Sequence, residues 1–365
     1  MRLESWCPCW ARNSGLTVVI AIVTILLDIV LPSARAGDAS PPLVRGEDFL
    51  TIVRNSGAGG YEAFPDIAHL NDGRLMVVHY AGYSHISMPN DVWPMGGRIS
   101  YVLSSDEGMT WSEPHVLLDT PQDDRDPSIA RLKDGRLICN FFNVPSGDVF
   151  VTTSADNGTT WNTEQMVTKR FATSSPVRQL ASGRLVLPMY RSVALSDDQG
   201  KTWRTIEIPS ATPEAAGVDL TEADVVELSD NQLYAVHRTD DGSPMRYTTS
   251  TDGGETWSQA RSLSFQGHSP YLLLTKSNIL VLGYRGVLED DRFDTQLRYS
   301  KDNGKTWSDA CRIDDLIGAY PSMIELDDGS VFVVYYEEGA GSDIRARRFR
   351  IDNDGLRWLK FDHHN

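Results

Sequence analysis

The residues of this chain that could do chemistry recur at one position of a repeating unit, directly before an in-phase proline or its equivalent. From the first unit to the sixth they are Phe64, Asp126, Ser175, Glu222, Ser269 and Tyr320. Loops further along the units add His85, Asp91, Arg191, Arg238, Arg285, Arg292 and Glu337, and two strand starts add Arg125 and Arg178. Guanidinium groups bind carboxylates through paired hydrogen bonds, so a set with several arginines predicts a small, acidic ligand.

A motif of eight residues defines the units. The pattern Ser-x-Asp-x-Gly-x-Thr-Trp begins at five serines spaced 50, 42, 54 and 50 residues apart, which are Ser104, Ser154, Ser196, Ser250 and Ser300. A worn sixth copy runs from Ile351 to Trp358. This period is typical of a four-stranded propeller blade. The sequence therefore predicts an all-β fold, a six-bladed β-propeller over residues 49–365.

The motif itself is interpreted as a structural turn. Its Asp can accept hydrogen bonds from backbone N–H groups that follow, its Gly can adopt a positive φ, and its Trp can fill apolar space. Strands alternate in direction within a blade, so the start of strand 1 and the loop between strands 2 and 3 lie on one face. Because strand 1 is innermost, the residues at its start are expected to ring the central axis.

Three segments resemble the exo-sialidases and the wider group of sialidase-like propellers. Glu222, within 221–228 and sixteen residues before Arg238, is similar to that family's catalytic Glu and second carboxylate-binding Arg. Arg292, just ahead of a strand that leads into a copy of the motif, resembles the family's third carboxylate-binding Arg. Tyr320, within 319–322, with Glu337 ending the next strand, resembles the segment of the nucleophilic Tyr.

The first blade departs from the family pattern, which places an Arg two residues before the proline. Here Ala63 holds that place before Pro65, and Arg125, at the equivalent position of the second blade, is a candidate to supply the charge. Asp91 is the best counterpart of the family's general acid. Asp126 and His85 compete for that role, and His85 is also a candidate substrate-binding residue.

The resemblance implies a retaining, exo-acting glycoside hydrolase. A sugar with a carboxylate at its anomeric carbon would repel a carboxylate nucleophile but not a neutral phenol, and Tyr320 could attack once Glu222 takes its proton. The expected substrate is a terminal sialic acid or a related carboxylated sugar. Two alternatives remain open: a glycosidase or lyase acting on uronic-acid polysaccharide, and a sugar-binding propeller without catalysis.

The N-terminus predicts export to the cell exterior or periplasm. Arg2 and Arg12 precede the apolar run 16–31, and 34–36 offers small residues for cleavage, so residues 1–36 read as a signal peptide and 37–48 as a linker. An uncleaved anchor is the alternative. Residues 37–365 carry a formal charge of −17, which argues against nucleic acid and anionic membranes as partners. No zinc spacing, phosphate loop or Gly-x-Ser-x-Gly motif occurs, and no cofactor or metal is expected.

Overall fold

The computed structural model describes residues 48–209, 218–288, 292–338 and 342–361, and every regular element among them is a β-strand. The strands form six antiparallel sheets in chain order, which confirms the predicted six-bladed propeller. No stretch of these residues forms a helix suited to crossing a membrane. The predicted signal peptide lies outside the described residues, as does the predicted linker except for Asp48.

Each of the first five blades is a four-stranded meander. Blade 1 consists of β2 (Tyr61–His69), β3 (Leu75–Gly82), β4 (Arg98–Ser104) and β5 (His115–Leu118). Blade 2 consists of β6 (Asp123–Arg131), β7 (Leu137–Val144), β8 (Val149–Ser154) and β9 (Gln165–Thr168). Blade 3 consists of β10 (Arg178–Gln179), β11 (Leu185–Met189), β12 (Ser192–Ser196) and β13 (Arg204–Glu207). Blade 4 consists of β14 (Leu220–Ser229), β15 (Gln232–Thr239), β16 (Arg246–Ser250) and β17 (Arg261–Ser262). Blade 5 consists of β18 (His268–Leu274), β19 (Leu280–Val287), β20 (Phe293–Ser300) and β21 (Cys311–Asp314).

Blade 6 closes the ring with strands from both ends of the described chain. It consists of β22 (Gly318–Glu325), β23 (Val331–Glu337), β24 (Ile344–Asp352), β25 (Gly355–Leu359) and β1 (Leu50–Val53). Both β1 and β25 pair with β24, so a strand that precedes blade 1 in the chain completes blade 6. An apolar cluster that includes Ile67, Val77, Phe332 and Tyr336 joins blades 1 and 6.

The motif turns have the predicted chemistry in all five full copies. In the first, Asp106 accepts hydrogen bonds from the backbone N–H and hydroxyl of Thr110 at 2.9 and 2.5 Å. The Ser104 hydroxyl accepts a further bond from the N–H of Gly108 at 2.9 Å, and Gly108 has a φ of 89°. The Trp111 indole donates to the Gly108 carbonyl at 3.0 Å. These local bonds stabilise the turn and leave the opposite face of the propeller for the site.

The glycines of the motif allow a matched stability test. A Cβ added at Gly108 would lie 2.6 Å from the Phe332 ring, whereas one at Gly200, with nearly the same φ of 88°, would meet Leu185 at 3.6 Å. Both alanine variants strain the backbone by about 1 kcal/mol, but only Gly108→Ala adds overpacking, of about 1–3 kcal/mol. Urea unfolding is expected to show the larger loss of stability in Gly108→Ala. Equal losses would mean that the Phe332 contact relaxes freely.

A bulge at the start of the inner strand sets the site. The register shifts at this place in β2, β6, β14, β18 and β22. In four of these strands the residue before the proline takes a left-handed φ of 46–52°, and these residues are Phe64, Asp126, Ser269 and Tyr320. Such a φ is strained for a residue other than Gly, and strain of this kind concentrates at functional sites.

Candidate active site

The bulged strand starts enclose a cavity at the centre of one face, as the sequence predicts. The space that the centre of a water molecule can occupy there measures about 10 Å³, and it is partly open to solvent. Its lining includes Phe64, Asp126, Ser269 and Tyr320, each followed by proline or packed beside one. Residues from blades 1, 2, 5 and 6 therefore meet at one place although they are far apart along the chain.

The central contact joins Tyr320 of blade 6 to Glu222 of blade 4. The phenol hydroxyl donates to Glu222 Oε1 at 2.5 Å. Glu222 Oε2 accepts hydrogen bonds from Arg238 Nη1 at 3.1 Å and from the Ser269 N–H at 2.8 Å, with the Ser269 hydroxyl at 3.3 Å. Three of the sequence-predicted site residues are thus brought together in a single hydrogen-bonded group.

The protonation states in this group follow from its surroundings. Burial raises the pKa of Glu222, but Arg238 and the hydrogen bond from Tyr320 outweigh it and lower the pKa to about 2. Burial, followed by the charges of Asp126 and Glu222, raises the pKa of the Tyr320 phenol well above its ordinary value. At neutral pH Glu222 is therefore an anionic carboxylate that accepts a hydrogen bond from the neutral phenol of Tyr320.

Asp126 is a second carboxyl group beside Tyr320. It is 3% exposed, and its Oδ1 lies 3.6 Å from Arg125 Nε. Burial raises the pKa of Asp126 to about 6, since the opposing effect of Arg125 is incomplete and Glu222 raises the pKa further. Below that pH Asp126 carries a proton that it could donate.

Asp91, the other candidate acid, lies in an exposed turn of the loop between β3 and β4. The turn is held by Asn90, whose Oδ1 accepts hydrogen bonds from the N–H groups of Val92 and Trp93 at 2.9 and 3.0 Å. Among the contacts recorded for the described residues, none joins Asp91 to Tyr320 or Glu222. The structure therefore places Asp126, and not Asp91, against the nucleophile candidate.

Arg125 lies beside the cavity but behind Phe64. It is 5% exposed, its guanidinium stands 5.0 Å from the centre of the Phe64 ring, and Nη1 donates to the carbonyl of His85. The His85 ring is half-exposed; it lies edge-on to Phe64 at 5.5 Å and bonds the Tyr61 hydroxyl at 2.9 Å. Phe64 in turn packs on Tyr320 at 4.8 Å between ring centres. Phe64 thus contacts both Arg125 and Tyr320, and Arg125 interacts electrostatically with the phenol.

Arg292 is exposed and immediately precedes β20. A second arginine of blade 5, Arg285, interacts electrostatically with Tyr320 and Glu222. Arg285 donates from Nε to the Gly318 carbonyl at 2.6 Å and from Nη2 to the Tyr336 hydroxyl at 2.9 Å. The role of Arg292 stays a prediction.

Other site residues carry no assigned role from the sequence. Arg285 belongs to the predicted ring, whereas His268 and Tyr190 do not, although His268 directly precedes the ring residue Ser269. Tyr190 interacts electrostatically with both Tyr320 and Arg238. The sequence signal that could have identified His268 is its place directly before Ser269, an in-phase residue. Among the described residues no group of three His, Cys, Asp or Glu side chains is placed to hold a metal ion.

Comparison with known proteins identifies relatives of this site's scaffold. A family model described as "BNR repeat-like domain" matches residues 142–333. An anhydrosialidase of Macrobdella decora is 36% identical over 83 residues, 21% of this chain and 10% of the relative. A sialidase of Bacteroides fragilis is 27% identical over 214 residues, 49% of this chain and 38% of the relative. The matches thus span well under half the length of either relative.

Among solved structures, the NanB sialidase from Streptococcus pneumoniae superposes with a TM-score of 0.67. The superposition covers 84% of this chain and 71% of that one at 17% sequence identity. At that identity the likeness concerns the fold, which the two proteins share.

Proposed function

Because this chain belongs to the BNR repeat-like domain family, within the sialidase-like propellers, we propose that it is an exo-acting retaining glycoside hydrolase that cleaves a terminal sialic acid or a related carboxylated sugar. The observation that carries the proposal is the 2.5 Å hydrogen bond from the Tyr320 hydroxyl to Glu222. This bond joins the inner strands of blades 6 and 4 near the propeller axis. A phenol held by an ionised carboxylate at the mouth of a cavity is a suitable nucleophile–base pair.

In the proposed reaction, Tyr320 Oη attacks the anomeric carbon while Glu222 accepts the phenol proton. The bond from that carbon to the leaving oxygen breaks, and a carboxylic acid donates a proton to that oxygen. Water then attacks the anomeric carbon of the sugar–tyrosine intermediate and gives a proton to the carboxylate left by the acid, which is thereby regenerated. The bond to Tyr320 Oη breaks and the proton held by Glu222 returns to the phenol, so the anomeric configuration is retained. No charge accumulates on the leaving group at any step.

Arg238 is the candidate ligand of the substrate carboxylate. One terminal nitrogen is used on Glu222, yet the side chain keeps 23% exposure, which leaves part of the guanidinium open towards the mouth. Arg285 has Glu338 at 3.8 Å, and Arg125 has Asp126 at 3.6 Å and Asp123 at 4.0 Å. All three arginines therefore face a carboxylate, Arg238 that of Glu222 at 3.1 Å. The Arg238 side chain is the most exposed of the three, at 23% against 16% for Arg285 and 7% for Arg125, so Arg238 is expected to dominate binding.

We assign the general acid to Asp126, and the leaving group provides the test. Asp126→Asn is expected to lower kcat/KM by about 10²-fold on an alkyl sialoside such as sialyllactose. The loss should be much smaller on an aryl sialoside, because a phenolate departs with little protonation. The loss of activity of the wild-type enzyme as pH rises through about 6, where Asp126 gives up its proton, should vanish in the variant. A larger and leaving-group-dependent loss in Asp91→Asn would instead assign the acid to Asp91.

A second candidate function is hydrolysis or elimination at uronic acids. It is favoured by Ala63, a buried residue at the place where the family pattern has an arginine, and by the position of Arg125 behind Phe64. A pocket with fewer open guanidinium groups would suit a differently placed carboxylate.

Purified protein assayed on fluorogenic glycosides of sialic, glucuronic and galacturonic acid separates the candidates. Release of fluorophore from the sialoside alone supports the proposal, and cleavage of a uronide alone supports the second function. Binding of an acidic sugar without any product from these glycosides would indicate a sugar-binding propeller and contradict both. Export through residues 1–36 stays a prediction, and N-terminal sequencing of the exported protein would test it.

A further inference from the structure

A histidine that the reaction above does not use lies next to the contact between blades 4 and 5. His268 opens β18, directly before Ser269, whose N–H bonds Glu222, and pairs in register with Arg285 of β19. Its imidazole interacts electrostatically with Arg238, Glu222 and Arg285. This side chain therefore lies among the groups that surround the proposed substrate.

The imidazole is held in position by its neighbours. Its ring packs on Phe293, with centres 5.5 Å apart and planes tilted by 41°, and the Arg285 guanidinium lies 5.8 Å from the same phenyl ring. Gly267, the preceding residue, lies so close to Tyr284 and Met245 that a Cβ there would approach them to 2.6 and 2.7 Å. This close packing fixes the backbone that carries the ring.

The two ring nitrogens differ in their access to a ligand. Nδ1 is enclosed and has no hydrogen-bond partner within the described part of the chain. Nε2 also makes no recorded hydrogen bond to a described residue, but it is not sealed from solvent. One nitrogen is therefore open to a ligand.

The charge state of the ring limits what it can bind. Burial lowers the pKa of His268 to about 3, and Arg238 and Arg285 lower it in the same direction while Glu222 opposes them. A neutral imidazole offers one ordinary hydrogen bond and no charge. A carboxylate is bound better by a guanidinium fork, so the partner of Nε2 is expected to be a neutral group.

We propose that His268 is a substrate-contacting residue whose Nε2 hydrogen-bonds a neutral polar substituent of the sugar, a hydroxyl or an acylamino group, while Phe293 supports the ring from behind. The inference rests on the proposed function and names the part of the same site that selects the sugar. It assigns recognition of the uncharged substituents to blade 5, beside the charged contacts from blade 4.

Three substitutions test the contact, because Gln and Asn place an amide near different ring nitrogens. The amide of His268→Gln reaches about where Nε2 lies, that of His268→Asn lies near Nδ1, and His268→Leu has no polar group. On a 4-methylumbelliferyl sialoside, Asn and Leu are expected to raise KM about tenfold with a smaller change in kcat, the loss of one hydrogen bond made in both ground and transition states. Gln should stay within about threefold of the wild-type KM.

Equal losses in the Gln and Asn variants would overturn the proposal in favour of a packing role against Phe293. So would unchanged KM in the Leu variant. Saturation-transfer NMR with free N-acetylneuraminic acid and glucuronic acid separates this question from the proposed hydrolysis. If wild-type protein binds one of these acids but cleaves no glycoside, the hydrolase proposal fails and the same order of affinities, Gln above Asn and Leu, still decides the role of His268. If it binds neither acid and cleaves nothing, both proposals fail.

Discussion

Tyr320→Phe is expected to reduce kcat for sialoside cleavage by about 10³-fold or more, the magnitude found when a nucleophile is removed. The substitution deletes only the hydroxyl that donates to Glu222 at 2.5 Å. The ring would keep its packing on Phe64 at 4.8 Å and Tyr336 at 6.1 Å, so the fold should persist. The measurement is initial-rate kinetics on the fluorogenic sialoside, with the melting temperature recorded alongside.

Tyr335→Phe is the matched control. Tyr335 is a buried tyrosine of the same blade, and its hydroxyl also bonds a carboxylate, Asp314, at 2.9 Å. Its loss should lower stability by about 1–2 kcal/mol, as for other hydrogen bonds to charged groups, and leave kcat within about twofold of wild type. Retention of sialoside cleavage in Tyr320→Phe would exclude the phenol as nucleophile. A sugar adduct trapped on the peptide that contains Tyr320, seen by mass spectrometry with a fluorinated sialosyl fluoride, would demonstrate the attack directly.

Glu222→Gln is expected to lower kcat for sialoside cleavage by about 10²–10⁴-fold. Glu222 is the acceptor of the phenol proton, and the amide that replaces it is not a base. Because the Glu222 pKa is about 2, the wild-type carboxylate is ionised at every pH above about 3, so titration of Glu222 itself adds no pH dependence above that value. The charge of Glu222 raises the pKa of Asp126, so the activity of the variant should fall at a lower pH than that of the wild type as Asp126 ionises. Rates of both proteins measured between about pH 4 and 8 test the size of the loss and this shift.

Glu227→Gln supplies the control for the same chemical change on the same strand. Glu227 accepts hydrogen bonds from the N–H groups of Ala181 and Asn231 at 2.6 and 2.9 Å, away from the cavity. Its loss should leave kcat within about twofold. If Glu222→Gln keeps more than a tenth of the wild-type kcat, Glu222 serves only as an ion-pair partner of Arg238.

The double variant tests whether Tyr320 and Glu222 act as a unit. Residues that act together in one proton transfer are not additive, so Tyr320→Phe with Glu222→Gln should cost about as much as the worse single variant. Multiplicative losses would indicate independent roles for the two side chains.

The order of the strands could be deduced from the chain because their signals are local. The motif from Ser104 to Trp111 makes its hydrogen bonds within eight residues, so one turn can be recognised without the rest of the protein. Five such turns and the degenerate sixth copy at blade spacing determine the number of blades, and strand alternation then determines which face carries the inner strand starts. Glu222 and Tyr320 were predictable on that basis, since each sits at an in-phase position. Arg238 was predictable because it follows strand 2 of the fourth unit on the same face.

The bulges were not deducible, and they decide the finer geometry. Whether Asp126 or Asp91 faces the phenol depends on the left-handed φ of Asp126 and on the turn held by Asn90, neither of which follows from spacing. The position of Arg125 was not deducible either. The sequence places it beside the site, and tertiary packing brings its guanidinium against the Phe64 ring. The pairing of β1 with β24 of blade 6 is likewise a contact between distant parts of the chain.

The sequence by itself determined the repeat, the blade count and the face that carries the inner strand starts, because these depend on periodicity and on bonds between near neighbours. Only the tertiary structure decided which carboxyl group beside Tyr320 is buried enough to hold a proton near pH 6, which carboxylates face the arginines, and that His268 lies among Arg238, Glu222 and Arg285. Those properties depend on desolvation and on charges brought together across blades, and neither is encoded in the spacing of residues along the chain.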